Sequence, residues 1–429
     1  MTYLNKNFHV TGGREININF FEPLNSNDLK NFKGSKIIPS GGMHSYSSSF
    51  YDEESVSIKT TNLNKIISLD EVSLLVEVES GVSFGELLTF LWERGYDFPV
   101  VPGFPGITIG GGLAVNCHGK NPYIDGAIAD WVHSFRLLMS NGNIINVDRS
   151  SNFELFNMTL GGYGLSGLII DITLRVREEV RSCYLQRAFK FSDPTQFVNS
   201  LISSTALNDI CYGWINLEGN FKGIVFCTEP ISDGITRNTF VKRVSLPRSF
   251  FGINFWGMGL AWIANSLFFI ATPTEMKLSK LNVTFPLYFK RWIFALFPAD
   301  GFSEFQIILN EGLFIEYILL LSDLKKRYRV NMPIATCRLF SSKRSLLKFS
   351  DTGIGVGTTI CGPDRGKVIK ILEDYCLKND ILVNISKCSN VNRALYEKTY
   401  RDIQEFRMLR KKYGFNNFYS SALSRALDI

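Results

Sequence analysis

Histidine and cysteine are sparse and unpaired in this 429-residue chain. The eight cysteines lie scattered, without a CxxC pair or a regular framework, which argues against a disulfide-built scaffold and predicts reduced thiols in a cytosolic compartment. The four histidines, His9, His44, His118 and His133, show no HExxH or other paired ligand spacing. Adjacent Cys117 and His118 do not by themselves make a cage, so no metal site is predicted. Long polar or repetitive tracts are missing as well. Hydrophobic residues make up 45% and charged residues 20%, which predicts a folded chain throughout, and the length predicts two domains. No arginine-rich arm accompanies the formal charge of +6, so nucleic acid is not an expected partner, and an anionic small molecule or membrane surface fits better. The runs Lys325-Lys326-Arg327 and Arg410-Lys411-Lys412 read as solvated faces. Residues 1–13 lack the apolar core of a signal peptide, which predicts an intracellular location.

One long apolar run stands out, residues 249–272. It approaches the roughly 20 apolar residues of a bilayer span, but Asn254, Asn265 and its glycines weaken that reading. A buried helix pair, an interfacial or lipid-tail-binding element and a span all stay open.

Short β runs broken by glycine turns fill residues 35–180. Residues 36–39, 55–58 and 74–79 read as strands. Residues 83–95 read as a helix, with Phe84, Leu87, Leu88 and Leu91 at helical spacing and Gly95 at its end. Residues 135–139, 144–147 and 168–176 return to strand, with Asn141-Gly142 a hairpin turn between the first two. Residues 181–375 have a different, more aromatic character, with β runs at 224–227 and 305–309, and form the second predicted domain. After residues 381–383 a charged helical pattern spans 392–412, and the segment 376–429 is expected to return to the first domain.

Three glycine-rich stretches carry the chemistry. Gly162-Tyr163-Gly164-Leu165-Ser166-Gly167 satisfies GxGxxG, but the residues after it alternate as a strand where a dinucleotide fold needs a helix. Its glycines serve a tight turn or close approach to a ligand. Pro39-Ser40-Gly41-Gly42-Met43-His44-Ser45-Tyr46 follows a strand directly, a setting in which backbone N–H groups can cradle a pyrophosphate. The third stretch runs from Pro102-Gly103 through Thr108-Ile109-Gly110-Gly111-Gly112 to Asn116-Cys117-His118-Gly119-Lys120-Asn121. So much glycine costs backbone entropy that an ordinary core element would not need.

The order GGMHSYS, PGFPGITIGGG, NCHGKN and GGYGLSG resembles the FAD domain of the vanillyl-alcohol oxidase and p-cresol methylhydroxylase (PCMH) superfamily. With HGKN, Asn282-Val283-Thr284, Pro286-Leu287 and residues 418–427, the chain is most similar to the branch of decaprenylphosphoryl-ribose oxidases. Aldonolactone and alditol oxidases are the nearest competitors. The resemblance implies an α+β fold: a PCMH-type two-subdomain FAD-binding domain over residues 1–180 and a central α+β substrate domain with an antiparallel sheet. It implies FAD as cofactor, with residues 40–46 and Thr108, Ile109, Gly110 and Gly111 around the pyrophosphate. Gly103, Val115, Asn116, Cys117, His118, Gly119 and Ile169 would line the rest, and Asn384 would lie near the flavin. It further implies Lys387 as the catalytic lysine, with Tyr46, His118, Lys120 and Gln306 lining the substrate pocket.

Three departures bear on chemistry. Where the ribose oxidases carry arginine, this chain has His44, as do relatives that attach flavin through a Gly-x-His-Ser histidine, so a covalent histidyl-FAD is expected, with simple hydrogen bonding as the alternative. Glu304 replaces a second glutamine, and Gly357 stands near a position where mycobacterial members carry cysteine. The implied reaction is oxidation of a secondary hydroxyl, on a polyprenyl-phosphate-linked pentofuranose, to a keto-sugar. This is the first half of an epimerisation in cell-envelope polysaccharide synthesis, completed by a separate short-chain reductase. The implied location is cytoplasmic, with peripheral contact on the inner membrane face. A soluble aldonolactone or alditol oxidase using oxygen, and a flavin-free binding protein, are the competing expectations.

Overall fold

The computed structural model describes residues 3–9, 15–30, 36–179, 181, 183–231, 253–287, 293–387 and 392–429. Its N-terminal half holds two small sheets. In the first, strand Glu15–Phe21 pairs antiparallel with Tyr3–His9 and parallel with Val56–Lys59, which in turn runs parallel to Ile37–Ser40. Ile18, Phe20, Ile37, Ile38 and Ile58 are buried, so the strand that ends at Ser40 is anchored and its exit is fixed in space.

The second sheet is antiparallel, with the order Ile66–Asp70, Leu75–Glu79, Leu168–Arg175, Val132–Leu138, Ile144–Asp148. Val76 and Val78 point into the core while Glu77 and Glu79 alternate outward, the period-2 pattern of a half-buried strand. Helix Phe84–Trp92 buries Phe84, Leu87, Leu88 and Leu91. Its start is set by Ser83, which caps Glu86 in a reciprocal capping box. At the hairpin, Gly142 takes φ +84°, a left-handed conformation natural to glycine. The GxGxxG segment lies between helix Phe153–Thr159 and strand Leu168–Arg175 and opens no helix.

Residues 183–383 build an eight-stranded antiparallel sheet in the order Glu275–Ser279, Cys183–Phe191, Lys222–Ile231, Ile210–Asn216, Asn331–Phe340, Gly353–Cys361, Ser303–Leu309, Leu382–Val383. Helices Pro194–Thr205 and Glu311–Arg327 cover one face. There Gly213 and Gly223 leave room for the Phe197 ring, which stacks on Phe314 with centroids 6.1 Å apart. Alternation sends Gln306, Gly357, Thr336 and Trp214, which are register partners across four strands, to the opposite face.

The apolar run 249–272 does not form a buried helix pair. Residues 249–252 lie outside the described residues, and Leu260–Ala271 is a single helix. Twelve residues at ~1.5 Å each fall well short of the ~30 Å of a bilayer core. No helix among the described residues is long and apolar enough to cross a membrane. Phe268 packs edge-on against Trp214 at 4.8 Å, which holds the helix on the sheet. Trp262, Ile263, Leu267 and Ile270 face outward, between 46% and 69% exposed.

The pattern over 392–412 divides into helices Arg393–Thr399 and Ile403–Lys412. Beyond them the chain lies against the first two sheets. Ile37 N–H donates to Phe418 O at 2.8 Å, Ser420 N–H to Ile37 O at 3.0 Å, and Tyr419 Oη to Leu138 O at 2.7 Å. Buried Arg410 donates to the carbonyls of Leu165 and Tyr419.

Candidate active site

Three chain segments meet around a cavity of about 1350 Å³, counted out to its open mouth. The first segment is the turn leaving strand Ile37–Ser40: Ser40, Gly41, Gly42, Met43, His44, Ser45 and Tyr46 all line the cavity. Met43 takes φ +54°, and the N–H groups of Gly42, Met43 and Ser45 meet no acceptor among the described residues. Free N–H groups around a left-handed residue make a concavity for an anion. Gly42 permits the close approach, because a Cβ there would stand 2.6 Å from Gly106 O.

The second segment works differently. Thr108 Oγ1 accepts from Gly111 N–H at 3.2 Å, while Ile109 and Gly110 N–H donate to Val82 O and Ser80 O, each at 2.8 Å. With those donors consumed inside the protein, Thr108, Gly110 and Gly111 supply a smooth wall, and free phosphate donors come from the first segment. Ile109 is fully buried in the core and does not line the cavity, and neither does Gly119. Gly103, Val115, Asn116, Cys117, His118 and Ile169 do, as do Asn384, Ser386 and Lys387 from the C-terminal segment. Burial pushes the Cys117 thiol up to about 12, so it stays protonated.

A fit test is available from the protein itself. Ser40 Oγ, Ser80 Oγ and Tyr163 Oη are buried without a hydrogen-bond partner, and all three line this cavity. Orphaned buried hydroxyls are costly, so their convergence points to a large polar ligand, as a flavin nucleotide is. Sequence reasoning missed Ser80 and Tyr163. Tyr163 sits inside the GxGxxG segment, whose Gly164 and Gly167 also line the cavity.

At the cavity's inner end a hydrogen-bond chain fixes four side chains. Ser386 N–H and Oγ–H donate to Asn384 Oδ1 at 2.9 and 2.8 Å, which leaves Asn384 Nδ2 to donate to Gln306 Oε1 at 2.7 Å. Gln306 Nε2 then donates to His118 Nε2 at 3.1 Å, so the His118 proton sits on Nδ1, 3.1 Å from its acceptor Gly119 O. Burial, reinforced by Arg338, pulls His118 down to about 3. His118 is thus neutral, with both ring nitrogens engaged, which suits it to orient its neighbours in the pocket. Gln306 does not line the cavity itself but anchors Asn384, which does.

Beside this chain, Lys387 Nζ lies 3.3 Å from Glu304 and 4.9 Å from the centre of the Tyr46 ring. Burial, with Glu304 nearby, raises the Tyr46 phenol far above its usual value, so it stays protonated and able to donate. Lys120 is pulled down to about 7 by burial and by Arg338. Two departures noted in the sequence meet here: a Cβ on Gly357 would lie in ordinary contact with both Gln306 and Glu304, at 3.8 Å. Arg338 and Tyr212, on the same sheet face, were not singled out from the sequence. The alternation of Ala335, Cys337 and Leu339 into the core against Thr336, Arg338 and Phe340 was the available signal.

Residues 29–148 match the model of an FAD binding domain family. A decaprenylphosphoryl-beta-D-ribose oxidase of Mycolicibacterium smegmatis is 33% identical over 144 residues, 33% of this chain and 31% of that protein. A D-lactate dehydrogenase of Anaerostipes hadrus is 30% identical over 126 residues, 28% of this chain and 26% of its own. A mitochondrial D-lactate dehydrogenase (cytochrome) of Arabidopsis thaliana is 30% identical over 148 residues, 33% of this chain and 26% of its own. The matched part therefore spans under a third of the length of these curated relatives. The glycine cradle, the unpaired hydroxyls and the matched span agree: this chain carries an FAD-binding domain of the PCMH type, with FAD as its cofactor.

Proposed function

We propose that the chain is an FAD-dependent oxidoreductase that oxidises a secondary hydroxyl of a sugar, carried as a polyprenyl-phosphate-linked pentofuranose, to the ketone. The observation that carries this reading is the polar wall of the FAD cavity formed by Lys387, Tyr46 and Asn384, with Glu304 paired to Lys387 and Gln306 bonded to Asn384. Similarity to the mycobacterial ribose oxidase supports the choice of substrate.

Bound FAD supplies the hydride acceptor. Lys387 Nζ places positive charge beside the hydroxyl oxygen as alkoxide character develops, and the Tyr46 phenol, held neutral, orients the same hydroxyl. Glu304, in contact with Lys387, is the carboxylate in reach of the departing proton. A separate short-chain reductase would return hydride to the other face, so the pair inverts one carbinol.

His44 favours a second reading, an aldonolactone or alditol oxidase with flavin attached through the imidazole. Its ring lines the FAD cavity, edge-on to Phe104 at 4.5 Å. Flavin fluorescence that stays with the polypeptide on a denaturing gel supports the covalent bond; fluorescence that runs entirely at the dye front removes it.

The outward face of helix Leu260–Ala271 suits peripheral contact with the inner face of a membrane. Lys190 and Lys222 flank it, their Nζ atoms 5.6 and 5.2 Å from the Phe269 ring. Flotation with anionic vesicles, lost in Trp262→Ser/Leu267→Ser, is the expected result; retention by the double variant would rule this face out. For substrate, anaerobic bleaching of the flavin against lipid-linked pentoses, aldonolactones, alditols and D-lactate decides. Bleaching only by the non-lipid compounds would overturn the preferred reading.

A further inference from the structure

The catalytic reading leaves two cations without work. Arg338 stands opposite Gly355 on the large sheet, on the same strand and face as Thr336, the register partner of Gly357. Its guanidinium lies 5.8 Å from the centre of the Tyr212 ring. Its Nε is buried without a partner, and among the described residues no ion pair reaches it. Lys120 lies near enough to feel that guanidinium and each is destabilised by burial, yet its Nζ finds only Pro102 O at 3.5 Å and the Phe285 ring at 5.9 Å. The carboxylate that acts on Arg338, Glu304, is held by Lys387. Two recessed like charges with no counter-charge of their own are unfavourable unless an anion completes them. Both side chains keep partial exposure, as do Thr336 and Gly357 on the same sheet face, so an anion can reach them.

We propose that Arg338 and Lys120 form an oxyanion subsite next to the reacting carbinol, taking a phosphate or carboxylate group carried by the substrate. The placement rests on the reading above that Lys387 marks the reacting end. A planar guanidinium accepts an oxyanion in two parallel bonds and an ammonium adds a point charge, so the pair fixes which way round the substrate lies. The subsite therefore selects for substrates with a negative group close to the oxidised carbon and against neutral alditols.

The test is calorimetric titration of the purified full-length protein with inorganic phosphate and, separately, with acetate, at fixed ionic strength. Wild type is expected to bind at least one probe, and Arg338→Met to weaken that binding at least tenfold, with Arg338→Lys in between. The tighter probe identifies the source, a phosphoryl or a carboxylate group. Thermal melting is the second measurement: removing an uncompensated charge should leave the melting temperature of Arg338→Met equal or higher, whereas a structural arginine would lower it. No binding of either probe by wild type, or equal binding by Arg338→Met, overturns the proposal. Neither readout uses the flavin or turnover, so a protein that binds phosphate at Arg338 but bleaches with no sugar refutes the catalytic reading alone.

Discussion

Replacing Gln306 by methionine keeps the volume of the side chain and removes both of its hydrogen bonds. Asn384 Nδ2 loses its acceptor at 2.7 Å and His118 Nε2 loses its donor at 3.1 Å. An orphaned buried polar group costs about 1–3 kcal/mol. Solvent can reach His118 but not Asn384, so the two together should destabilise the protein by roughly 2–4 kcal/mol near pH 7. The pH dependence gives an independent readout. Burial holds His118 down to about 3 in the folded protein against its ordinary 6.5, so between those values the unfolded chain holds the extra proton. Stability from this group is therefore complete above pH 6.5 and is lost as the pH falls toward 3. Burial and the charge of Arg338 set that depression, and neither is removed with the amide. In Gln306→Met the loss between pH 6.5 and 3 should therefore persist on top of the lower stability at pH 7. Urea unfolding at a series of pH values measures both effects, and histidine NMR gives the midpoint directly. A variant within about 0.5 kcal/mol of wild type at pH 7, or a wild-type His118 titrating near 6.5, would refute the proposed orientation of the whole chain.

Gly110→Ala places a Cβ 2.8 Å from Ser80 Cβ and 2.9 Å from Ser80 O; overpacking of about 1–3 kcal/mol is expected, with loss of flavin in the purified protein measured by absorbance. Lys387→Met should keep FAD and lose anaerobic bleaching by a substrate that bleaches wild type; normal bleaching removes the lysine from the mechanism. Tyr419→Phe leaves Leu138 O without its partner and should cost about 1–2 kcal/mol in denaturant unfolding.

The local patterns were plain in the sequence where one rule dominated. Ser83 and Glu86 announce the helix start, Asn141-Gly142 the hairpin, and the alternation of Val76 and Val78 a half-buried strand. The glycine clusters pointed to the cofactor, because a missing side chain is visible in sequence. What glycine cannot reveal is where its backbone N–H points. Residues 40–46 and 108–111 looked alike, yet only the first keeps donors free, since Ser80 O and Val82 O from a distant stretch claim the others. The run 249–272 could not be assigned from the sequence for a related reason. Hydropathy counts apolar side chains but not the surface available to cover them, and the sheet covers one face of Leu260–Ala271 only. Alternation gave the face of Arg338 but not its role, because a lone arginine in a strand reads as solvated until its neighbours are known.

The contacts of Tyr419, Ser420 and Arg410 with Ile37, Leu138 and Leu165 set the order in which the protein can assemble on the ribosome. Strand Ile37–Ser40 emerges early, but the segment that flanks it, and Asn384, Ser386 and Lys387 with it, is synthesised only after the entire eight-stranded sheet. N-terminal units ordinarily fold first during synthesis. Here the nucleotide cradle must wait half-built, its apolar edge exposed, until the late segment arrives. Flavin is therefore expected to be held only once the C-terminal segment has been made, so supply after synthesis governs the holoprotein yield.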